Sequence, residues 1–163
     1  VIDAALDMLQ YINPTFSYHG LFTADELVRI RDALPGIYIV NSLDAADVQP
    51  GNIGHWVVLL VNEDRQTRKR HCIFYDSLAT EPYVLNVHID MFIANHFPNY
   101  AHCTYPVQSD TSIACGYFCL TFCYFVIAEN LSLNDIMNKF SRNNYYENEM
   151  FVRRLCYHVF YLS

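Results

Sequence analysis

The apolar stretch CGYFCLTFCYFVIAEN, residues 115–130, constrains the fold of this chain more than any other segment. A surface helix carries its apolar residues in one stripe, whereas here they occur on every side of a helix. The stretch therefore predicts a central helix that is buried all round. The rest of the chain has to supply the cover for this helix.

Four short segments predict the strands of a covering sheet. IYIVN is typical of one strand, and HWVVLLVN is apolar without alternation, which indicates burial on both of its faces. The charged turn EDRQTRKR joins HWVVLLVN to HCIFYDS, so we expect these two strands to pair antiparallel. HCTYPVQ is typical of a shorter strand further along the chain.

Helices are predicted on either side of these strands. DAALDMLQY and YVLNVHIDMFIANHF are two candidates, and TADELVRIRDALPG is another, which begins with a capping box of Thr23 and Glu26. Its expected apolar face consists of Leu27, Ile30 and Leu34. Two helices close the chain; Ser132 caps the first, and the second has apolar residues at helical spacing: Phe151, Val152, Leu155, Cys156, Val159 and Phe160. The predicted fold class is α+β, a small, mostly antiparallel mixed sheet flanked by helices, in a single domain of residues 1–163.

The charge of the chain bears on its partners. Its net charge is −7, and strong binding to nucleic acid needs a basic face, so DNA binding is not expected. Four basic residues cluster in the predicted hairpin tip, where we expect them to be solvated, with a local nucleic-acid contact as the alternative: Arg65, Arg68, Lys69 and Arg70. No apolar run reaches the length of a membrane span, and no signal peptide is visible.

The six cysteines are Cys72, Cys103, Cys115, Cys119, Cys123 and Cys156. A chain this long and this apolar does not need disulfides for stability, so we expect reduced thiols in an intracellular setting. A structural zinc site is the alternative, but the chain has no Cys-x2-Cys pair. We expect neither a metal nor an organic cofactor.

Cys115 stands at the border between the polar stretch QSDTSIA and the central helix. A helix N-terminus has free N–H donors and the positive end of the helix dipole, which stabilise a thiolate and lower its pKa. Gly116 leaves the backbone approachable, and the small residues before Cys115 leave room for a substrate. These features predict an activated thiol nucleophile, whereas Cys119 and Cys123 are expected to be core residues.

Three further residues complete a candidate catalytic set. His55 opens the first strand of the predicted hairpin and Asp76 ends the second, so both fall at one edge of the sheet, where Asp76 can orient the imidazole. Gln108 precedes Cys115 by seven positions, and its amide and the Cys115 backbone N–H could stabilise an oxyanion. Taken singly, each has a plain alternative: a structural histidine, a turn aspartate and a solvated glutamine.

The order His55-Trp56, Asp76, Gln108, Ala114-Cys115-Gly116 resembles that of the adenovirus-type and ubiquitin-like-protein-processing cysteine peptidases. The matching pieces are GHWVVLLV, IFYDSL and QSDTSIACGYFC, within residues 51–128. The Cys-Gly-x-Phe-Cys stretch and the seven-residue interval are most similar to the adenovirus endopeptidase, because the branch that processes SUMO usually has an interval one residue shorter.

This resemblance implies an adenain-like fold with Cys115 as the nucleophile, His55 as base and acid, Asp76 as the orienting carboxylate and Gln108 as the oxyanion donor. Trp56 would form one wall of a narrow cleft that admits glycine before the cut bond, with plain core packing as its alternative role. Gly54 and Gly116 are the other expected substrate-binding residues.

The implied function is cleavage of viral precursor proteins of the capsid or core during virion maturation, in a virus or virus-like mobile element. The expected location is the virion and the nucleus or cytoplasm of the infected cell. Adenovirus enzymes are longer and basic, use Glu as the third residue, and are stimulated by DNA and by a disulfide-linked peptide. Here Asp76 takes that third position, and Cys103 is the thiol that an activating peptide would use, although its spacing to Gln108 differs. The alternatives are a peptidase acting on ubiquitin-like tails and a non-catalytic interaction module.

Overall fold

Five strands form one mixed sheet in the computed structural model, which describes residues 1–162. The strands lie side by side in chain order; β2 pairs antiparallel with β3, and β3 pairs antiparallel with β4. The two outer pairings, β1 with β2 and β4 with β5, are parallel. The strands are β1 Tyr18–Thr23, β2 Gly36–Asn41, β3 Trp56–Glu63, β4 Arg70–Tyr75 and β5 Tyr100–His102.

Helices cover the sheet on both faces. They are α1 Ile2–Ile12, α2 Pro82–Leu85, α3 Val87–His96, α4 Cys115–Ile127, α5 Leu133–Met137 and α6 Tyr145–Phe160, with two short 3₁₀ turns at Ala24–Arg29 and Ala45–Asp47. One core lies between the sheet and α1, α4, α5 and α6, and the other lies between the sheet and α3 with the first 3₁₀ turn.

The predicted burial of β3 on both faces is confirmed. Val58 and Leu60 pack toward α4, while Val57, Leu59 and Val61 pack toward α3, and all five side chains are buried. Since successive side chains of a strand point to opposite faces, this continuous apolar run matches a strand with a helical layer on each side. The central position of α4 is confirmed as well, because ten of its thirteen residues are buried.

Residues 23–36 are predicted as an α-helix, but the helical part of this segment is the 3₁₀ turn Ala24–Arg29. The capping box forms, but the carbonyl oxygens of Ala33, Leu34 and Pro35 accept hydrogen bonds from side chains of the sheet. The donors are Arg70, Tyr38 and His19, so tertiary partners replace the helical ones. The expected apolar face is wrong at Leu34, which is 47% exposed.

Two other predicted elements differ from the structure, and one strand was not predicted. The helix expected over residues 83–97 is two helices, because Asn86 leaves the helical conformation and its side chain caps His88. The strand expected at HCTYPVQ stops at His102, so Gln108 lies in an irregular segment. β1, which pairs in parallel with β2, was not predicted, because its residues are all half-buried and its two faces do not alternate in polarity.

The predicted charged turn between β3 and β4 is present, but it is not uniformly solvated. Arg68 pairs with Glu63 at 3.1 Å, and Arg70 pairs with both Glu63 and Asp32. Arg70 therefore fastens the hairpin tip to the segment that leads into β2. No helix in the described part of the chain has both the length and the apolar character to cross a membrane.

The hydroxyl group of Tyr75 is buried in the core. Its ring stacks on Phe122 of α4, with 4.4 Å between the ring centroids, and its side chain is fully buried. Within residues 1–162 its hydroxyl has no hydrogen-bond partner, and burial raises the pKa of Tyr75 well above its usual value. A buried hydroxyl without a partner lowers stability by about 1–3 kcal/mol.

We expect Tyr75→Phe to increase the free energy of unfolding by about 1 kcal/mol, because the change removes this hydroxyl and keeps the ring. The matched control is Tyr38→Phe: the Tyr38 hydroxyl donates to the carbonyl of Leu34 at 2.7 Å, so its removal should lower the free energy by about 1 kcal/mol. Urea denaturation measures both values. A Tyr75→Phe variant less stable than the wild type would contradict this reading of the hydroxyl.

Candidate active site

The ends of three elements bring the predicted catalytic residues together. Cys115 is the first residue of α4, His55 directly precedes β3, and Asp76 directly follows β4. In the antiparallel register Val58 is opposite Tyr75, which places His55 and Asp76 at the same edge of the sheet. The hairpin geometry expected from the sequence is therefore present.

His55 and Asp76 form the hydrogen-bonded pair. The imidazole Nε2 lies 2.6 Å from Asp76 Oδ1, and the carboxylate is buried. The backbone N–H groups of Leu78 and Thr80 also donate to this carboxylate, at 2.9 and 3.1 Å. Because the turn fixes Asp76 and Asp76 fixes Nε2, the Nδ1 atom of His55 is left for the thiol.

The charges at the site stabilise a thiolate and an imidazolium. Burial by itself lowers the pKa of His55, but hydrogen bonds with Asp76 and Cys115, and their negative charges, raise it to about 9. Burial by itself raises the pKa of Cys115, which also disfavours the charged form. Four contacts outweigh burial and lower this pKa below its usual value: the hydrogen bond with His55, the backbone N–H of Trp56, the charge of His55 and the backbone N–H of Gly116.

Cys115 differs from the other five cysteines, all of which are buried and free. Burial raises the pKa of Cys156 to about 11 and those of Cys72 and Cys103 to about 12. Burial also raises the pKa values of Cys119 and Cys123. The thiol predicted as the nucleophile is thus the one whose pKa is lowered.

Gln108 is buried between two loops. Its side-chain Oε1 accepts from the Ser77 hydroxyl, its Nε2 donates to the carbonyl of Ser112 at 3.0 Å, and its backbone N–H donates to the carbonyl of Ser77 at 3.1 Å. Ser77, which the sequence pattern did not single out, connects the end of β4 to Gln108. The role of Gln108 as an oxyanion donor stays a prediction.

An apolar groove of about 220 Å³ opens beside the thiol. Two of the predicted substrate-binding residues, Trp56 and Gly116, line it together with Cys115. The remaining lining residues are Val1, Ile2, Ile53, Ile113, Tyr117, Leu120 and Leu162.

Gly54 is not among the residues that line the groove. It has φ of +72°, and a Cβ atom there would lie 2.1 Å from Asn41 Oδ1, so glycine lets the loop before His55 pass over Asn41. Its predicted role in substrate binding remains a prediction.

Sequence reasoning missed two residues that hold His55 in place. Ser42 Oγ accepts from the His55 backbone N–H at 3.0 Å, and the Ser42 N–H donates to the His55 carbonyl at 2.8 Å. Asn86 Nδ2 in turn donates to the Ser42 carbonyl at 2.9 Å. A signal for Asn86 was present, because an asparagine inside an apolar helical pattern is typical of an N-cap.

A cysteine at the start of a buried helix thus lies beside a histidine at the edge of a five-stranded mixed sheet. This α+β arrangement is the fold expected from the resemblance to the ubiquitin-like-protein-processing and adenovirus-type cysteine peptidases. No family model matches the sequence, and no curated protein matches it.

The solved structure of AvrA supports this fold. A single-residue deletion variant of AvrA with IP6 and CoA superposes with a TM-score of 0.53 at 14% identity, over 77% of this chain and 48% of that one. This chain thus spans about half the length of the AvrA chain. The Chlamydia trachomatis effector Cdu1 bound to ubiquitin gives a TM-score of 0.46 at 16% identity, over 99% of this chain and 78% of that one. At 14% identity the likeness to AvrA shows the fold alone.

Asp76→Asn should move the alkaline limit of activity to lower pH. In the wild type a raised pKa keeps His55 protonated up to about pH 9, so kcat/KM should fall above pH 9 as the imidazolium is lost, and at low pH as the Cys115 thiolate is protonated. Removing the negative charge of Asp76 lowers the pKa of His55 and should reduce kcat/KM about 100-fold. A kcat/KM profile against pH tests this, and an unmoved alkaline limit would contradict it.

Proposed function

We propose that this chain is a cysteine endopeptidase whose nucleophile is Cys115. The observation that carries the proposal is the contrast among its thiols: Cys115 has a lowered pKa, contacts a histidine fixed by a buried carboxylate, and lines a groove. A purely structural cysteine needs none of these features. The non-catalytic alternative expects a missing or displaced catalytic residue, whereas Cys115, His55 and Asp76 stand together.

The proposed reaction is acyl transfer through a thioester. The Cys115 thiolate forms a C–S bond to the scissile carbonyl carbon, and the negative charge moves to the carbonyl oxygen. The imidazolium of His55 then donates its proton to the leaving nitrogen as the C–N bond breaks. Water, deprotonated by His55, attacks the thioester and releases the acid and the thiol. Asp76 holds the imidazole and stabilises its positive charge throughout.

Two donors are proposed for the oxyanion. The backbone N–H of Cys115 lies at the start of α4, where N–H groups have no helical partner. The Gln108 amide has two N–H groups, and the carbonyl of Ser112 takes one of them. The other is assigned to the oxyanion, where one such donor accelerates the reaction about 10²–10³-fold.

The groove indicates the kind of substrate. Trp56 and Gly116 lie beside the thiol, so a small residue, glycine above all, is proposed before the cut bond. Ile2, Ile53 and Leu120 give the groove an apolar lining, which favours a substrate with an apolar side chain nearby. The net charge of −7 does not favour DNA as an activator.

The substrates proposed are viral precursor proteins cleaved during virion maturation, in the virion or the infected cell. This choice rests on the resemblance of the segment QSDTSIACGYFC to the adenovirus endopeptidase. Ubiquitin-like tails are the second candidate, prompted by the ubiquitin bound to Cdu1. Acetyl-CoA is the third candidate substrate, because the AvrA structure contains CoA. A thiolate attacks the carbonyl carbon of a thioester as it attacks that of a peptide bond.

Cys115→Ala should abolish cleavage of glycine-containing peptides, and iodoacetamide should alkylate Cys115 before any other thiol, because only its pKa is lowered. Cys72→Ala is the matched control, since Cys72 lies in the core on the opposite face of the sheet. Mass spectrometry of the alkylated protein and a library of cleaved peptides give the readouts. Full activity in Cys115→Ala, or equal alkylation of several cysteines, would overturn the proposal.

Three substrate sets separate the candidates. Cleavage of library peptides after glycine, without cleavage of ubiquitin or SUMO precursors, supports maturation of viral precursors. Preferential cleavage of the ubiquitin or SUMO precursors supports action on ubiquitin-like tails. Consumption of acetyl-CoA without peptide cleavage would replace the peptidase assignment with acyl transfer.

A further inference from the structure

The loop of residues 109–113 joins the two proposed oxyanion donors and is mostly exposed. Asp110 and Thr111 are exposed, and Ile113 is 84% exposed. Such a loop has few packing contacts to fix its shape, yet Gln108 at one end and Cys115 at the other must point to the same oxygen atom. Contacts from outside the loop can hold its two ends in one arrangement.

Ser112 makes the contacts that join the two ends of this loop. Its carbonyl oxygen accepts from Gln108 Nε2 at 3.0 Å, and its hydroxyl oxygen accepts from the Ala114 N–H at 3.1 Å. The same hydroxyl donates to Glu149 Oε2 at 2.6 Å. Ser112 is thus hydrogen-bonded to Gln108, to Ala114 and to Glu149.

Glu149 is itself well fixed. It lies on α6, and the guanidinium of Arg153, one turn further along, donates to Oε1 at 3.0 Å. Arg153 in turn lies over the ring of Tyr117 on α4, 4.7 Å from its centroid. Hydrogen bonds from Ser112 and Arg153 keep the pKa of Glu149 below its usual value, so the carboxylate stays charged. The helix α6 therefore offers the loop a rigid, charged acceptor.

We propose that Glu149 is a positioning residue for the reaction, which orients the Gln108 amide through Ser112. This inference rests on the proposed function. The Glu149 carboxylate fixes the direction of the Ser112 hydroxyl; the hydroxyl fixes Ala114, and the Ser112 carbonyl fixes one N–H of Gln108. On the other side, Ser77 holds the amide oxygen of Gln108. The remaining N–H of the amide is then directed by the contacts at the amide oxygen and at the amide nitrogen.

Glu149→Ala should lower kcat about tenfold and change KM little, because the contact acts on the oxyanion that forms after the substrate binds. The rate at which iodoacetamide alkylates Cys115 should not change, since that reaction uses the thiolate and forms no oxyanion. A loss of general structure would lower both rates. Glu149→Gln should recover most of kcat, because its amide oxygen can still accept from the Ser112 hydroxyl.

A double variant tests whether Glu149 acts through Gln108. Adding Glu149→Ala to Gln108→Ala should cause no further loss of kcat, because the donor that Glu149 orients is already absent. The matched control is Glu147→Ala on the same helix, whose carboxylate contacts Asn144; it should leave kcat unchanged. Multiplying losses in the double variant, an unchanged kcat in Glu149→Ala, or a parallel fall in alkylation would overturn the inference.

One readout does not depend on turnover. In ¹⁵N-labelled protein, Glu149→Ala should shift the side-chain amide resonances of Gln108, and Glu147→Ala should not. A wild type that cleaves no peptide refutes the proposed function, and the amide resonances then still report whether Glu149 orients Gln108. Unchanged Gln108 resonances in Glu149→Ala would overturn the inference by themselves.

Discussion

The structure depends on covering a helix that is apolar on every side. The helix α4 packs against β3 on one side and against α1 and α6 on others, so its flanks are buried in the core. The N-terminal end is different, because its first turn opens on a groove. Apolar side chains can cover the sides of a helix, but the free N–H groups at its start need polar partners. Cys115 stands where these two requirements meet.

Burial works against both charges of the proposed pair, and hydrogen bonding decides the outcome. For His55 and for Cys115 alike, the largest single effect on the pKa opposes the charged form, and contacts with partners reverse it. The remaining thiols lack a histidine partner, and burial raises their pKa values. A low dielectric strengthens paired charges and penalises unpaired ones, so within the same core the pKa of one thiol is lowered and the pKa values of the other five are raised.

Sequence predicted those parts of the site that depend on local pattern. Two apolar runs around a charged turn fix a hairpin, and the hairpin register alone brings His55 near Asp76. The surroundings of Gln108 could not be predicted in this way, since its partners come from the turn after β4 and, through Ser112, from α6. The helix prediction for residues 30–35 was wrong for the same reason. Side chains of the sheet donate hydrogen bonds to carbonyl groups of this segment, and the local sequence pattern does not show these distant donors. Local helix propensity is overridden where polar side chains from distant parts of the chain form hydrogen bonds with the backbone.

The turn after β4 holds both the proposed acid–base pair and the proposed oxyanion donor. Asp76 holds His55, and the next residue, Ser77, holds Gln108 through its hydroxyl and its carbonyl. The side chain of Asp76 is also fixed by two backbone N–H groups of that turn. The end of β4 therefore sets the distance between the proposed acid–base pair and the proposed oxyanion donor. A change in this turn would therefore disturb the proposed acid–base pair and the proposed oxyanion donor together.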